Sequence, residues 1–356
     1  MNDSTNSADA VNAEAQSSAD TQPSLVSRVL HKGAAGRSLG LIIALLVLLG
    51  VGAITAGYNF TNVDNMLVIL RLASVIGVVA IGVTLVITAG GIDLSVGSVL
   101  GLASVVGTLS FVQEAASGFW PLMVIVAVAV GIFAGFINGI VIAYGNVVAF
   151  MATLAMLVAA RGAAELISQR KTLILENQGF KNFFRADFLG VSWVIWIFVI
   201  VAALGWFVLN RTTFGRRTVA IGGNATAARL AGVNVRRHTM YLYMVSGATA
   251  GIAAIMLLSR TTAGTSTHGQ LYELDAIAAV VVGGTLLIGG RGTIGGTVLG
   301  VLLFATLTNV FTQNNLSTSV QLVAKGIIIV VAVLLQQRFA NREANAAKKT
   351  PQVASA

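Results

Sequence analysis

Long apolar blocks separated by short polar connections follow one another along most of this chain. Nearly all of them are about 17–25 residues long, the length at which an α-helix crosses the hydrocarbon core of a bilayer. The pattern therefore predicts an all-α polytopic membrane protein with about ten transmembrane helices. The predicted spans are residues 39–57, 66–88, 95–112, 120–144, 147–168, 191–209, 239–259, 274–289, 295–312 and 318–336.

Composition supports this class. Of the 356 residues, 56% are hydrophobic and 10% are charged, whereas a soluble domain carries about 25% charged residues. The 39 glycines favour close helix packing in lipid. With only three prolines, most helix breaks must depend on glycine. The lack of cysteine excludes disulfides and thiolate metal sites.

Basic residues predict the topology. An even number of spans places both termini on one side, and most Lys and Arg residues fall on that side, many of them in the connection 211–238. The positive-inside rule then places both termini in the cytoplasm. This bias accounts for the net charge of +9, so no nucleic-acid partner is expected. The connection 169–190 carries four basic residues on the predicted outer side, where it could fold into a docking ledge.

The chain divides into three predicted parts. Residues 1–37 are rich in small and polar residues and have no apolar stretch, which indicates a disordered cytoplasmic tail rather than a signal peptide. Residues 38–337 form the transmembrane domain, with its cytoplasmic loop at 211–238. Residues 338–356 form a cytoplasmic C-terminal tail.

Two glycine-rich breaks interrupt the apolar pattern. The first, Gly90-Gly91, leads to Asp93 and Ser95 between two spans. An ionisable group at such depth suggests function. Asp93 could cap the following helix with help from Ser95, or it could line a solute path. The second break, Gly283-Gly284, hints at an internal repeat like those of many transporters.

The cytoplasmic loop contains a predicted short helix. Asn224 suits the N-cap position and Gly232 the position just past the C-terminus. Between them lie Ala227, Ala228 and Arg229, in about two helical turns that would be marginal alone in water. Such a helix fits a groove of another protein. The alternative is a solvated connector whose charge orients the chain.

Signatures of catalysis do not emerge from the sequence. Gly290, Gly292 and Gly295 satisfy a dinucleotide-binding pattern, but no acid follows at the required distance and both flanks are membrane-length. The dipeptide Gly-Lys of a phosphate-binding loop does not occur. The three histidines lack metal-ligand spacing. We therefore expect neither an enzyme nor a cofactor or metal site.

Charged residues inside the apolar blocks need partners. Arg161 and Glu165 lie four apart on one predicted helix and are expected to pair with each other. Glu273 and Asp275 are expected to cap the eighth span. Lys325 lies inside the tenth span, where it could snorkel or bind a carboxylate across the bundle. The sequence does not identify that carboxylate.

Five segments carry a family resemblance. They are residues 90–97, 220–235, 272–284, 289–300 and 325–333. In order and spacing the chain resembles, over about residues 58–336, the permease subunits of ribose-type ATP-binding-cassette importers, which also serve xylose, arabinose and galactosides. One departure is Ala149, where the family usually has a proline before Phe-Ile.

The resemblance implies an assembly in the bacterial cytoplasmic membrane. Its other members would be a second permease copy, a cytoplasmic ATP-binding subunit that hydrolyses the ATP, and an extracytoplasmic sugar-binding protein. It implies that the segment from Asn224 to Gly232 inserts into the ATPase, and that a monosaccharide, ribose first, passes near the segment 90–95.

Two alternatives come from other classes. An ion-coupled secondary carrier of a small polar solute could use Asp93, Arg161, Glu165 and Lys325. A structural membrane scaffold would leave the glycine breaks unexplained.

Overall fold

The computed structural model describes residues 33–331 and residue 334; the predictions for residues 1–32 and for the C-terminal tail lie outside these. Two units are distinguished, Met1–Gly40 and Leu41–Ala356, and the first is described only from Gly33 onward. Helix α1 begins at Gly33, so residues 33–37 of the predicted disordered tail are helical. Ala34 and Ala35 favour that extension, because alanine has the highest helix propensity.

Helices make up most of the described chain. They are α1 (Gly33–Ala56), α2 (Tyr58–Thr61), α3 (Val63–Thr88), α4 (Val96–Gly107), α5 (Ser110–Ala115), α6 (Pro121–Ala143), α7 (Ala149–Ser168), α8 (Gln178–Arg185), α9 (Trp193–Arg211), α10 (Thr213–Gly223), α11 (Ala225–Leu230), α12 (Val235–Thr261), α13 (Tyr272–Val282), α14 (Ile294–Gln313) and α15 (Thr318–Val331). The strands are β1 (Leu173–Ile174), β2 (Asp187–Phe188), β3 (Val191–Ser192) and β4 (Ala263–Gly264).

Local sequence explains several helix starts. The side chains of Asn62, Thr212 and Asn234 accept backbone N–H groups at the first turns of α3, α10 and α12. Helix α6 has Pro121 in its first turn, where proline loses no hydrogen bond. Helix α7 begins at Ala149, two residues after the predicted start of that span.

Seven helices of the described chain are long and apolar enough to cross a membrane, namely α1, α3, α6, α7, α9, α12 and α14. The predicted spans 95–112 and 274–289 are not continuous helices of that kind. Helix α4 has 12 residues and α13 has 11, or roughly 16–18 Å at 1.5 Å per residue. The chain turns at Thr108 after α4, and Gly284, with φ +90°, stops α13. Helix α15 is described only to Val331.

Helix α12 lies at the centre of the bundle, with most of its apolar residues buried. It crosses α6 through glycines. Gly131 and Gly247 touch each other backbone to backbone, and Gly135 and Gly251 each lie against the backbone of the facing helix. A Cβ at these positions would overlap the neighbouring chain. Close approach of this kind is how helices associate in lipid.

The two halves share an order of elements that differs from the expected repeat. In each, a long helix leads through a non-helical segment into a short helix, first from α3 to α4 and later from α12 to α13. Thr88-Ala89-Gly90 matches Thr262-Ala263-Gly264 at the end of the long helix. Gly90-Gly91 therefore corresponds to Gly264-Thr265, whereas Gly283-Gly284 ends the short helix. Hydropathy alone could not distinguish a break before a helix from one after it.

The non-helical segment of the second half consists of β4 followed by turns, and it runs along α4 in the opposite direction. Gly264 lies against Ser104 and Thr108 near the end of α4, whereas Gly269 touches Gly97 at its beginning. The side chain of Glu273 also reaches Gly97. The first turns of the two short helices therefore pack together.

The connection 169–190 is folded. Strand β1 pairs with β4, and β2 pairs with β3 in a hairpin. Helix α8 buries Phe180 and Phe184. The Trp120 ring lies 4.6 Å from that of Phe183, which stacks on Trp193. The connection is thus a compact platform, and a docking role for it remains a prediction.

Candidate functional site

The segment between α3 and α4 is anchored by Asp93, which is 1% exposed. One carboxylate oxygen accepts the backbone N–H and the hydroxyl of Ser95, at 3.0 and 2.6 Å. The other accepts the hydroxyl of Ser246 on α12, at 2.8 Å. Both oxygens are occupied, so the carboxylate fixes a local turn and ties it to the central helix. The cost of burying the group is offset by these bonds.

Further bonds attach the same segment to two helices. Asn138 of α6 donates its side-chain N–H to the Ser95 hydroxyl at 2.9 Å, and the Tyr243 hydroxyl of α12 donates to the carbonyl of Ile92 at 3.2 Å. Ser95 occupies the N-cap position of α4, and Asp93 precedes it. Asp93 is therefore not the helix cap that the sequence suggested; it fixes the segment before the helix, and its place on a solute path remains a prediction. Sequence reasoning missed Asn138, Ser246 and Tyr243, although polar residues inside apolar blocks are a usable signal.

Arg161 does not pair with Glu165, so that prediction is wrong. Its guanidinium donates to the carbonyls of Ser266 and His268, the latter at 2.9 Å. Glu165 lies near the end of α7 and binds Arg170 at 2.9 Å. The segment of turns after β4 brings carbonyl acceptors to Arg161. The spacing of residues in the sequence cannot show this contact.

His268 also holds the segment of turns after β4. Its Nδ1 lies 3.1 Å from the hydroxyl of Ser104 on α4. Burial, with a smaller contribution from the positive charge of Arg161, lowers the pKa of His268 to about 4. The imidazole is therefore neutral at physiological pH, and it acts as a hydrogen-bonding side chain.

The first turn of α13 contains both predicted capping acids, but the N-cap residue is Leu271. Neither Glu273 nor Asp275 is therefore the cap, and this prediction is also wrong. Their place in the first turn still complements the helix dipole. Asp275 binds Lys325 of α15 at 3.0 Å. Glu273 is buried, and one of its oxygens has no hydrogen-bond partner among the described residues.

The short helix of the loop 211–238 has the predicted caps. The Asn224 side chain accepts the N–H of Ala227 at 2.9 Å. Gly232 has φ +83°, and Val233 N–H donates to the carbonyl of Ala228 at 3.0 Å, the pattern of a glycine-terminated helix. Ala228 is buried, whereas Arg229 is exposed.

The surface beside α11 is a basic groove. Leu230, at the end of α11, is 85% exposed. A cavity of about 460 Å³ follows it, lined by Arg229, Gly232, Val233, Asn234, Val235 and Arg236. An exposed apolar side chain beside two arginines suits a protein surface that supplies an apolar pocket and acidic groups.

The glycines of the dinucleotide-like pattern serve contacts within the chain. The N–H of Gly290 donates to the carbonyl of Thr88 at 2.9 Å. Gly292 packs on the Thr88 side chain. The Gly290 amide therefore already has a partner within the chain. Among the described residues, no group of three His, Asp or Glu side chains is placed to hold a metal ion.

Residues 65–333 match the family described as the branched-chain amino acid transport system permease component. The chain belongs to the permease family that includes the ribose-type importers. It is 38% identical to the ribose import permease protein of Haemophilus influenzae, over 82% of this chain and 90% of that protein. It is 39% identical to the ribose import permease protein of Bacillus subtilis, over 87% and 95%.

A relative with another printed substrate is nearly as similar. The L-arabinose transport system permease protein of Escherichia coli is 36% identical, over 78% of this chain and 84% of that protein. No solved structure matches the chain significantly. The chain is therefore a membrane permease, as its seven membrane-length helices also indicate.

Proposed function

We propose that this chain is the permease subunit of an ATP-driven importer that translocates a monosaccharide, with ribose as the first candidate. The observation that carries the proposal is the identity of 38–39% to two ribose import permeases over more than four fifths of the chain. We rank arabinose second, because the arabinose relative has lower identity and coverage.

The proposed assembly has three kinds of component. Two copies of this chain enclose the sugar path, a cytoplasmic subunit hydrolyses ATP, and an extracytoplasmic binding protein delivers the sugar. The chain lies in the bacterial cytoplasmic membrane with both termini inside. The basic loop 211–238 supports this orientation, because cytoplasmic loops of membrane proteins are enriched in Lys and Arg.

Helix α11 is the proposed coupling helix. Its capped ends make it a defined helix rather than a flexible connector. Leu230 offers the ATPase an apolar contact, and Arg229 offers it a charged one. Closure of the two ATPase subunits on ATP would push this helix. The bundle would then exchange an outward for an inward opening, so that the sugar alternates between the two sides.

The proposed path lies at the beginning of α4 and at the end of α13. The segment from Gly90 to Ser95 and the pair Gly283-Gly284 are two of the places at which the backbone departs from helix within the bundle. Non-helical backbone is tolerated at membrane depth where protein or an aqueous cavity covers it. Sugar selectivity then resides mainly in the binding protein.

Charge placement argues against an ion-coupled carrier. Asp93 has both oxygens bonded, Arg161 donates to two carbonyls, and Lys325 binds Asp275. A coupling site must exchange its ion during each cycle, and these groups would first have to break several bonds.

A reconstituted complex tests the proposed substrate. The chain would be combined with its ATP-binding subunit and candidate sugar-binding proteins, and ATP turnover would be measured with ribose, xylose, arabinose and galactose. The proposal predicts stimulation by a binding protein loaded with ribose. Stimulation by another sugar alone would replace ribose, and no stimulation by any of them would overturn the assignment to sugar import.

A further inference from the structure

Glycines from three distant parts of the chain meet at one place, which we name the glycine junction. They are Gly90 after α3, Gly222 near the end of α10, and Gly289-Gly290 between α13 and α14. The junction is closed by the hydrogen bond from the Gly290 N–H to the Thr88 carbonyl at 2.9 Å. It joins both broken segments of the bundle to the helix that precedes α11.

Contact in the junction is between backbones. A Cβ on Gly289 would lie 2.8 Å from the Gly90 Cα and 2.9 Å from the carbonyl oxygen of Gly222. A Cβ on Gly222 would overlap the Thr88 carbonyl oxygen and the Gly290 nitrogen. Gly90, Gly289 and Gly290 also have φ between +79° and +85°, which other residues rarely adopt.

The next glycine along α10 differs. A Cβ on Gly223 would meet no other described atom within 4 Å, and Gly223 is exposed. Two adjacent glycines of one helix thus have opposite surroundings. A side chain would therefore enter the packed contact from Gly222 but not from Gly223, although the backbone of Gly223 also lies beside Gly290.

Helix α10 connects the glycine junction to α11 and is held in place by contacts with α12. Asn224, the N-cap residue of α11, follows Gly223 directly. One and two turns earlier in α10, the Thr218 hydroxyl and the Nε2 of His238 on α12 lie 2.9 Å apart, and the ring of Phe214 lies 4.3 Å from that of His238. A displacement of α11 therefore meets a braced helix rather than a flexible loop.

We propose that the glycine junction transmits the movement of α11 to both broken segments at once. This inference rests on the proposed function, in which α11 receives the ATP-driven push. Packed backbones without intervening side chains have no rotamers that could absorb a displacement, and packed interiors are not continuously deformable. Moving the end of α10 must then move Thr88 and Gly290 with it, or break their contact.

The adjacent glycines supply the test and its matched control. In the complete complex, Gly222→Ala should lower ATP-driven sugar uptake by about tenfold or more, while ATP turnover and membrane insertion persist. Gly223→Ala should transport like the parent, since its methyl group enters open space and alanine favours the helix. Uptake by Gly222→Ala at the parent rate overturns the inference.

A distance measurement in the otherwise unaltered chain covers the case in which Gly222→Ala fails to fold. The chain has no cysteine, so introduced pairs can be spin-labelled selectively. Thr226 on α11 and Ile288 beside the junction are both exposed. The distance between their labels should stay the same with and without ATP, while that from Thr226 to Phe188 of β2 changes. A Thr226–Ile288 distance that changes with nucleotide overturns the inference.

Different results would overturn the proposed function and the inference about the glycine junction. A parent complex that takes up no sugar with ATP overturns the proposed function. A parent that transports, with a Gly222→Ala variant that transports equally, overturns the glycine junction only.

Discussion

Lys325 of α15 binds Asp275 in the first turn of α13, with its Nζ 3.0 Å from one carboxylate oxygen and 3.2 Å from the other. The two side chains are 14% and 19% exposed. This pair provides the carboxylate that the sequence could not identify for Lys325. It also connects the last described helix to the short helix that follows α12.

Removal of this ion pair should destabilise the chain. Lys325→Ala would leave the Asp275 carboxylate largely buried without its partner, and we expect a loss of about 2 kcal/mol, below the ~3–5 kcal/mol for a fully buried pair. Thermal unfolding in detergent measures the effect. The matched control is Arg170→Ala, because Arg170 is 82% exposed in its pair with Glu165 and such pairs contribute little. Equal effects of the two variants would contradict this account.

Asp93 separates an anchoring role from an ion-coupling role. Asp93→Ala would leave the hydroxyls of Ser95 and Ser246 without their buried acceptor, at a cost of about 1–3 kcal/mol for each unpaired group. Asp93→Asn keeps the shape and an acceptor for Ser95, while Ser246 can accept from the amide. We expect the asparagine variant to retain uptake and the alanine variant to lose folded protein. Loss of transport in a well-folded Asp93→Asn would instead indicate that the charge itself is used.

The helix cap at Gly232 should be essential to coupling. Its φ of +83° is strained for a β-branched residue but accessible to asparagine. Gly232→Val, like a bulky residue at the buried Ala228, should abolish uptake while membrane insertion persists, whereas Gly232→Asn should transport. Uptake assays alongside membrane fractionation measure this. Normal uptake by Gly232→Val would remove α11 from the mechanism.

Arg161 should hold the segment of turns after β4. Arg161→Ala removes the donor to the carbonyls of Ser266 and His268, so amide hydrogen exchange in residues 265–271 should accelerate. Glu165→Ala is the control, because Glu165 binds Arg170 rather than Arg161. If Glu165→Ala accelerated exchange in that segment as strongly, the assignment of partners would be wrong.

Features set by local sequence were predictable. The long apolar blocks became seven membrane-length helices. The caps at Asn224 and Gly232 formed as expected, because each cap depends on side-chain chemistry or backbone freedom within a few residues. The resemblance to ribose-type permeases is confirmed by the family match and by the relatives.

Features set by distant contacts were not. The expected pairing of Arg161 with Glu165 failed because a remote segment supplies better acceptors. Helices α4 and α13 are short because backbone turns stop them inside blocks whose hydropathy stays high. The glycine junction is formed from parts of the chain more than 60 residues apart. Of its glycines, only Gly90 belonged to a predicted glycine-pair break, and no local pattern showed that these glycines meet.

The energy source tests the central claim most directly. Sugar uptake would be measured in vesicles that contain this chain alone under an ion gradient, and in vesicles that contain it with the ATP-binding subunit, the binding protein and ATP. We predict accumulation only in the second preparation, and only while ATP is hydrolysed. Accumulation by the chain alone, driven by the gradient, would contradict the assignment of this protein as a permease powered by a separate ATPase.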